Sequence, residues 1–215
     1  DRSRSDRALC GQLPQLAREA CIQGGAAPEE IQAVGVGFPG LVDNRRGVVV
    51  QTTNMPFADT PFRELFQAEW DVPVYLGNDA NCPAIGEYWA GAAKGCDPAV
   101  VITLGTGIGG GMVCGGKVFT GCANSGMEVG HMITQPGGVP CPCGNRGCWE
   151  QYGSATALIR ITREEMAQDR ESLLWQLCGG DPERVQGRTA FDGVKQGEPA
   201  GRRAPDRYLL GLAVG

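Results

Sequence analysis

The run AVVITL at residues 99–104 passes directly into GTGIGGG at 105–111. Apolar and β-branched residues in an unbroken row, closed by glycine, read as a buried β-strand, the strongest strand signal in the chain. The turn that follows carries Gly105, Thr106 and Gly107. Its successive backbone N–H groups can cradle a phosphate, and Thr106 can add a hydroxyl. The same residues also suit a plain tight hairpin. A Walker loop would need Gly-Lys-Ser/Thr, and a dinucleotide fingerprint would need a helix behind it. Here a second short strand, about 111–114, follows instead.

Toward the N-terminus, residues 72–76 form another predicted strand, ending in GNDAN at 77–81, and a helix is expected over about 83–94, stopped by Gly95. Earlier strands are expected at 33–38, broken by Pro39-Gly40, and at Val48–Val50. Helical spacing of Leu13, Leu16, Ala17, Ala20 and Cys21 predicts a helix over about 11–24, and Phe62, Leu65 and Phe66 predict one over 61–70. Pro28-Glu29-Glu30 opens a short helical turn. The opening DRSRSDR is expected to be solvated. Toward the C-terminus, helices are expected over 154–168, 172–178 and 204–214, with a loop over 179–187. Strands alternating with helices make this an α/β protein. The natural boundary lies near Gly95-Cys96-Asp97-Pro98, giving regions 1–95 and 96–215. The last residues, LLGLAVG, stop within an apolar helical pattern, so the chain is expected to be truncated.

The 215 residues are 42% hydrophobic and 20% charged, which suits a globular chain that buries a core. A net charge of −5 argues against a broad nucleic-acid surface. The 10 cysteines are irregularly spaced and partly set in apolar runs, unlike a secreted disulfide framework; a reducing, cytoplasmic compartment is expected. No apolar run is long enough for a membrane span, and no signal peptide is apparent.

Residues 128–150 read EVGHMITQPGGVPCPCGNRGCWE. They hold the chain's single histidine, His131, and three clustered cysteines, Cys141, Cys143 and Cys148. One imidazole and three thiolates complete a tetrahedral zinc set, leaving no position for a reactive water, so the zinc would be structural. Buried thiols without a metal are the plainer alternative. Glu128 and Glu150 are not needed by the metal and are candidates for holding a ligand beside it. Glu128 and His131 stand three apart, so a helical turn would place them on one face, with the second ring nitrogen of His131 left for a ligand hydroxyl.

Asn78-Asp79 falls at the carboxyl end of a predicted strand, the edge where ligands bind in open α/β sheets. An Asp there can take a proton from a substrate hydroxyl, and an Asn can hydrogen-bond a polyol. The alternative is an Asx cap for the next helix.

Taken together, VGVGFPGLVD at 34–43, GNDANCPAIGEYWAGAAKG at 77–95, VVITLGTGIGGG at 100–111, GMEVGHM at 126–132 and CPCGNRGCWEQYGS at 141–154 resemble the ROK family of repressors and sugar kinases, its bacterial glucokinases most of all. The resemblance implies the actin-like ATPase fold, two α/β domains around a cleft, with 1–95 in the small domain and 96–215 in the large one. It implies ATP-dependent phosphorylation of a hexose, glucose first, at the 6-hydroxyl, with ATP bound as its Mg2+ complex. Asp79 matches the general base. Asn78, Glu128, His131 and Glu150 match the sugar ligands, and Asn54 and Gly40 match positions lining that pocket. Gly105, Thr106 and Gly107 match a phosphate loop, and His131, Cys141, Cys143 and Cys148 the zinc ligands. Family members are dimers or tetramers. The Asp-x-Gly-Gly-Thr phosphate loop and the later adenosine glycine motif of family kinases are absent from these residues, so weak or no turnover is expected of this stretch alone. A sugar-responsive repressor, or a zinc-stabilised sugar-binding module without catalysis, are the other functions the resemblance allows.

Overall fold

The computed structural model describes residues 5–52 and 55–215. Along them run α1 (Asp6–Gln23), β1 (Val34–Phe38), β2 (Gly40–Asp43), β3 (Val48–Thr52), β4 (Ala58–Thr60), α2 (Phe62–Gln67), β5 (Val74–Asn78) and α3 (Asn81–Ala90). There follow β6 (Ala99–Leu104), β7 (Ile108–Cys114), β8 (Lys117–Val118), α4 (Glu150–Gly153), α5 (Ala155–Gln168), α6 (Leu174–Leu177), α7 (Thr189–Lys195) and α8 (Pro199–Ala213). The chain forms two compact units: one takes in the chain up to Val101 together with Gly111–Met127, the other Ile102–Gly110 with Glu128–Gly215.

In the first unit β1 and β5 pair in parallel, in a register that runs from Val34 opposite Val74 to Phe38 opposite Asn78. β2, β3 and β4 form a separate antiparallel sheet. The core is aromatic. Phe38 meets Phe62 edge-on at 4.8 Å and Phe57 at 5.4 Å, and Phe62 and Phe66 are buried one turn apart on α2, as their spacing predicts. Each such pair contributes about 0.5–1.5 kcal/mol beyond the area it buries. α1 closes this core with Cys10, Leu13, Ala17 and Cys21.

α1 begins five residues before the expected start. Ser5 caps it, its hydroxyl accepting the Ala8 N–H at 3.3 Å, and Asp6 in the first turn accepts the Thr60 hydroxyl at 2.8 Å. Over residues 5–7 the charged opening is therefore the cap of a helix, with Ser5 and Arg7 exposed to solvent as expected. α3 stops at Ala90, before the expected Lys94, because Gly91 breaks it.

β6 is paired to β7, and β7 to β8, so the hairpin expected after AVVITL is present. β6 is buried on one face only. Val100, Ile102 and Leu104 are 56%, 38% and 51% exposed, contrary to the buried strand expected. An unbroken apolar run reports the residues, not whether both faces are covered.

In the second unit α5, α7 and α8 pack together through Leu158 and Ile161, Ala190, and Ala204, joined by Tyr208. Glu165, only 4% exposed, is held by Arg203 at 2.8 Å and Arg207 at 2.6 Å between α5 and α8. Burial raises its carboxyl, and the two guanidinium groups more than offset this, leaving it below the usual range. α7 lies within a stretch where no helix was expected. Gly193 on α7 comes so close to Gly201 on α8 that a Cβ on Gly201 would lie 2.9 Å from the Gly193 carbonyl carbon.

Candidate active site and metal centre

The first unit presents Asn78 and Asp79 where β5 gives way to α3. Asn78 Oδ1 accepts the N–H groups of Ala80 at 2.9 Å and Asn81 at 3.1 Å, while Nδ2 donates to the Gly40 carbonyl at 3.1 Å. Asn78 thus carries the cap that the sequence allowed, and one Nδ2 hydrogen remains for a ligand. Asp79 is fixed by its backbone, its N–H donating to the Phe38 carbonyl at 2.9 Å, so the buried Phe38 ring anchors it. Its side chain is exposed. Partial desolvation raises its carboxyl above the ordinary Asp value, against the pull of the Ala80 N–H and its own. Asn54 lies outside the described residues.

The second unit holds Gly105, Thr106, Gly107, Glu128, His131, Glu150 and the three cysteines. The carbonyl of Gly105 accepts the Ala155 N–H at 2.9 Å, and that of Thr106 accepts the Thr156 hydroxyl at 2.7 Å. The start of α5 therefore braces the turn. Ser154, buried, caps α5 by accepting the Ala157 N–H at 3.1 Å. The helical turn expected between Glu128 and His131 is a single 3-10 turn over Val129–His131, with the Glu128 carbonyl accepting the His131 N–H at 3.1 Å. It lies tight against β7: a Cβ on Gly130 would fall 2.0 Å from the Ile108 carbonyl oxygen.

His131, Cys141, Cys143 and Cys148 converge, their ligand atoms all within 4.8 Å of one another. Cys143 and Cys148 sulfurs are 3.6 Å apart, and Cys141 Sγ is 3.7 Å from His131 Nδ1. A tetrahedral zinc with bonds of about 2.0–2.3 Å has ligand–ligand edges of about 3.5–3.8 Å, so these two pairs stand at zinc spacing and the four residues could hold a metal. Gly147 makes the turn possible. It sits at φ +87°, and a Cβ there would lie 1.7 Å from the Gln135 carbonyl oxygen. Burial pushes the Cys141 thiol up to about 12 and raises that of Cys148, whereas the Asn145 N–H lowers that of Cys143. A metal would have to displace protons from the first two, which is the ordinary cost of a buried thiolate ligand.

Glu150 opens α4 immediately after Trp149. Its Oε1 lies 3.1 Å from Cys141 Sγ and 3.8 Å from His131 Nδ1. Two neighbours on α4 were not anticipated. Tyr152 accepts the Val139 N–H on its phenol oxygen at 2.8 Å, and Gln151 Nε2 lies 3.6 Å from Cys141 Sγ. Their position directly after Glu150, on one helical turn, was the available clue.

Residues 19–215 match the ROK family. The chain belongs to the ROK family. Glucokinase of Thermotoga maritima is 40% identical over 186 residues, 86% of this chain and 58% of that protein. The solved ROK glucokinase of Streptomyces griseus, in complex with glucose and AMPPNP, is 33% identical with a TM-score of 0.74, over 91% of this chain and 64% of the other. The xylose repressor of Bacillus subtilis is 37% identical over 134 residues, 62% of this chain and 35% of that one. This ROK chain thus has part of the actin-like ATPase fold of its kinase relatives and spans less than two thirds of their length. Among its described residues no helix is long and apolar enough to cross a membrane.

Proposed function

We propose that the ROK chain serves ATP-dependent phosphorylation of a hexose, glucose first, at its 6-hydroxyl. Asp79 is the general base in this reading. It accepts the hydroxyl proton as the sugar oxygen attacks the γ-phosphate, a role worth about 10²–10⁴-fold. Asn78, Glu128, His131 and Glu150 hold the other hydroxyls, and the Gly105-Thr106-Gly107 turn supplies backbone N–H groups to the phosphates of ATP, which binds as its Mg2+ complex. Zinc on His131, Cys141, Cys143 and Cys148 fixes the loop that aims His131 and Glu150, a structural contribution. Residues 1–95 then belong to the smaller domain of the kinase and 96–215 to the larger. The complete enzyme works as a cytoplasmic dimer or tetramer, without nucleic acid or membrane.

The observation that carries this reading is the division of labour at the end of β5. Asn78 makes the cap with both of its backbone acceptor contacts. Asp79, anchored through Phe38, is left with an exposed carboxyl whose hold on a proton is raised by desolvation. The likeness to glucokinases supports the choice of sugar. Likeness to xylose repressors favours a second reading, a sugar sensor that binds without turnover.

The test is a coupled assay of the protein expressed from its uninterrupted reading frame, with ATP and a panel of hexoses and N-acetylhexosamines. Turnover of glucose that Asp79→Asn abolishes while sugar binding persists supports the kinase. A sugar that raises the melting temperature without turnover supports the sensor.

A further inference from the structure

Met127 stands directly before Glu128 with its backbone in the left-handed region, at φ +66°. Two other non-glycine residues among those described share a positive φ, Asp59 and Asn124. Asp and Asn tolerate that region because a short polar side chain can hydrogen-bond locally. A long apolar side chain has no such compensation. A Met held there is strained, and such a residue persists only where its surroundings leave it no other conformation.

The chain is fixed on both sides of it. Upstream, Gly126 donates its N–H to the Thr120 carbonyl at 2.8 Å, and a Cβ on Gly126 would lie 2.7 Å from the Thr120 carbonyl carbon. The loop closed by that bond is rooted on β7, where the Met112 carbonyl accepts the Phe119 N–H at 2.8 Å. Downstream, Glu128 has φ −73° and ψ 51°, and its carbonyl is committed to the His131 N–H. The turn it opens has Gly130 pressed against Ile108. Met127 is the residue between these two fixed ends. The side chain of Glu128 is exposed, so its direction depends on the backbone that carries it.

We infer that Met127 is a positioning residue, a strained joint that confines the backbone leading into Glu128. With a Cβ, the left-handed well is narrow, about +50 to +70° in φ. Glycine would relieve the strain but would populate both signs of φ. The joint thus trades stability for a single direction of the Glu128 carboxylate. The consequence for sugar rests on the kinase reading; the strain does not.

Three variants that all remove the methionine side chain test it, in the protein expressed from its uninterrupted reading frame. Met127→Ala keeps a Cβ and the strain, Met127→Gly frees the backbone, and Met127→Asn suits the left-handed region while still confining it. The glycine and asparagine variants should melt above the alanine variant. Loss of packing alone would put glycine lowest. For glucose, KM should rise about 3–10-fold in Met127→Gly, the scale of one hydrogen bond, with kcat changed less. Met127→Asn should keep the parent's KM. An alanine variant that melts above the other two would overturn the strain. Equal KM in the glycine and asparagine variants would overturn the positioning role. The expected melting order in a protein that phosphorylates no sugar would support the strained joint and overturn only the kinase reading.

Discussion

Glu150 occupies the space into which a side chain on Gly107 would grow: a Cβ there would lie 2.6 Å from Glu150 Oε2. The glycine turn and the metal loop therefore constrain each other. Gly107→Ala should push the carboxylate aside while leaving the backbone in place, since the clash is with the end of a flexible chain. Displacement by about 1 Å costs about 10²-fold when a group positions substrate. The expected outcome is a fall of that order in kcat/KM with a melting temperature close to the parent's, checked by steady-state kinetics and calorimetry.

Metal content gives a second prediction. Purified protein should carry one zinc per chain, and Cys148→Ser should lose it. Restoring zinc to stripped protein at about 100 times its Kd should stabilise by about 2.7 kcal/mol. Because the Cys141 thiol sits up to about 12 and that of Cys148 is also raised, binding expels protons. Zinc affinity should therefore fall as pH is lowered, which a chelator competition across pH would read.

Asp79 predicts opposite effects on activity and stability. Its carboxyl is raised by desolvation, so ionising it costs more in the folded chain than in the unfolded one. That penalty is absent below the unfolded value and complete above the folded one. At neutral pH, Asp79→Asn should raise the melting temperature while abolishing turnover. The acid limb of the parent's kcat/KM profile should fall above the ordinary Asp range. A variant that melts lower than the parent would contradict the desolvation argument.

Glu165 behaves the other way. Burial raises it, but its bonds to Arg203 and Arg207 hold it below the usual range. Its stabilising contribution is present above the unfolded carboxylate value and is lost as pH falls through the lower folded value. Glu165→Gln should cost about 2 kcal/mol at pH 7, the scale of charge-assisted hydrogen bonds. The gap between variant and parent should close in acid, measured by urea unfolding at several pH values.

The chemistry-bearing motifs were the most legible part of the sequence, because spacing alone puts Cys141, Cys143, Cys148 and His131 in one loop. The aromatic face of α2 and the hairpin after AVVITL were equally readable. Other features depended on partners far along the chain. β2 was hidden by Pro39-Gly40, which reads as a break but only turns the strand into its pairing with β3. α7 was hidden by Gly193, which weakens a helix alone and is required here by the approach of Gly201. The role of Asn78 as cap could be named beforehand, yet choosing between it and Asp79 required the hydrogen bonds themselves. Gln151 and Tyr152 carried no motif, and only the folded loop beside them reveals what they touch.

The interleaving of the two units has a meaning for recombination. The backbone passes between them at 101/102, 110/111 and 127/128. A gene crossover at the last of these, which looks like a clean seam, would import the cysteines and Glu150 from one parent and keep Gly107 from the other. Chimeras between ROK proteins should tolerate that junction only when the parent that supplies the N-terminal part has a glycine at the position of Gly107. The smallest transplantable cassette is thus not the cysteine loop but that loop together with the tip of the β6–β7 hairpin.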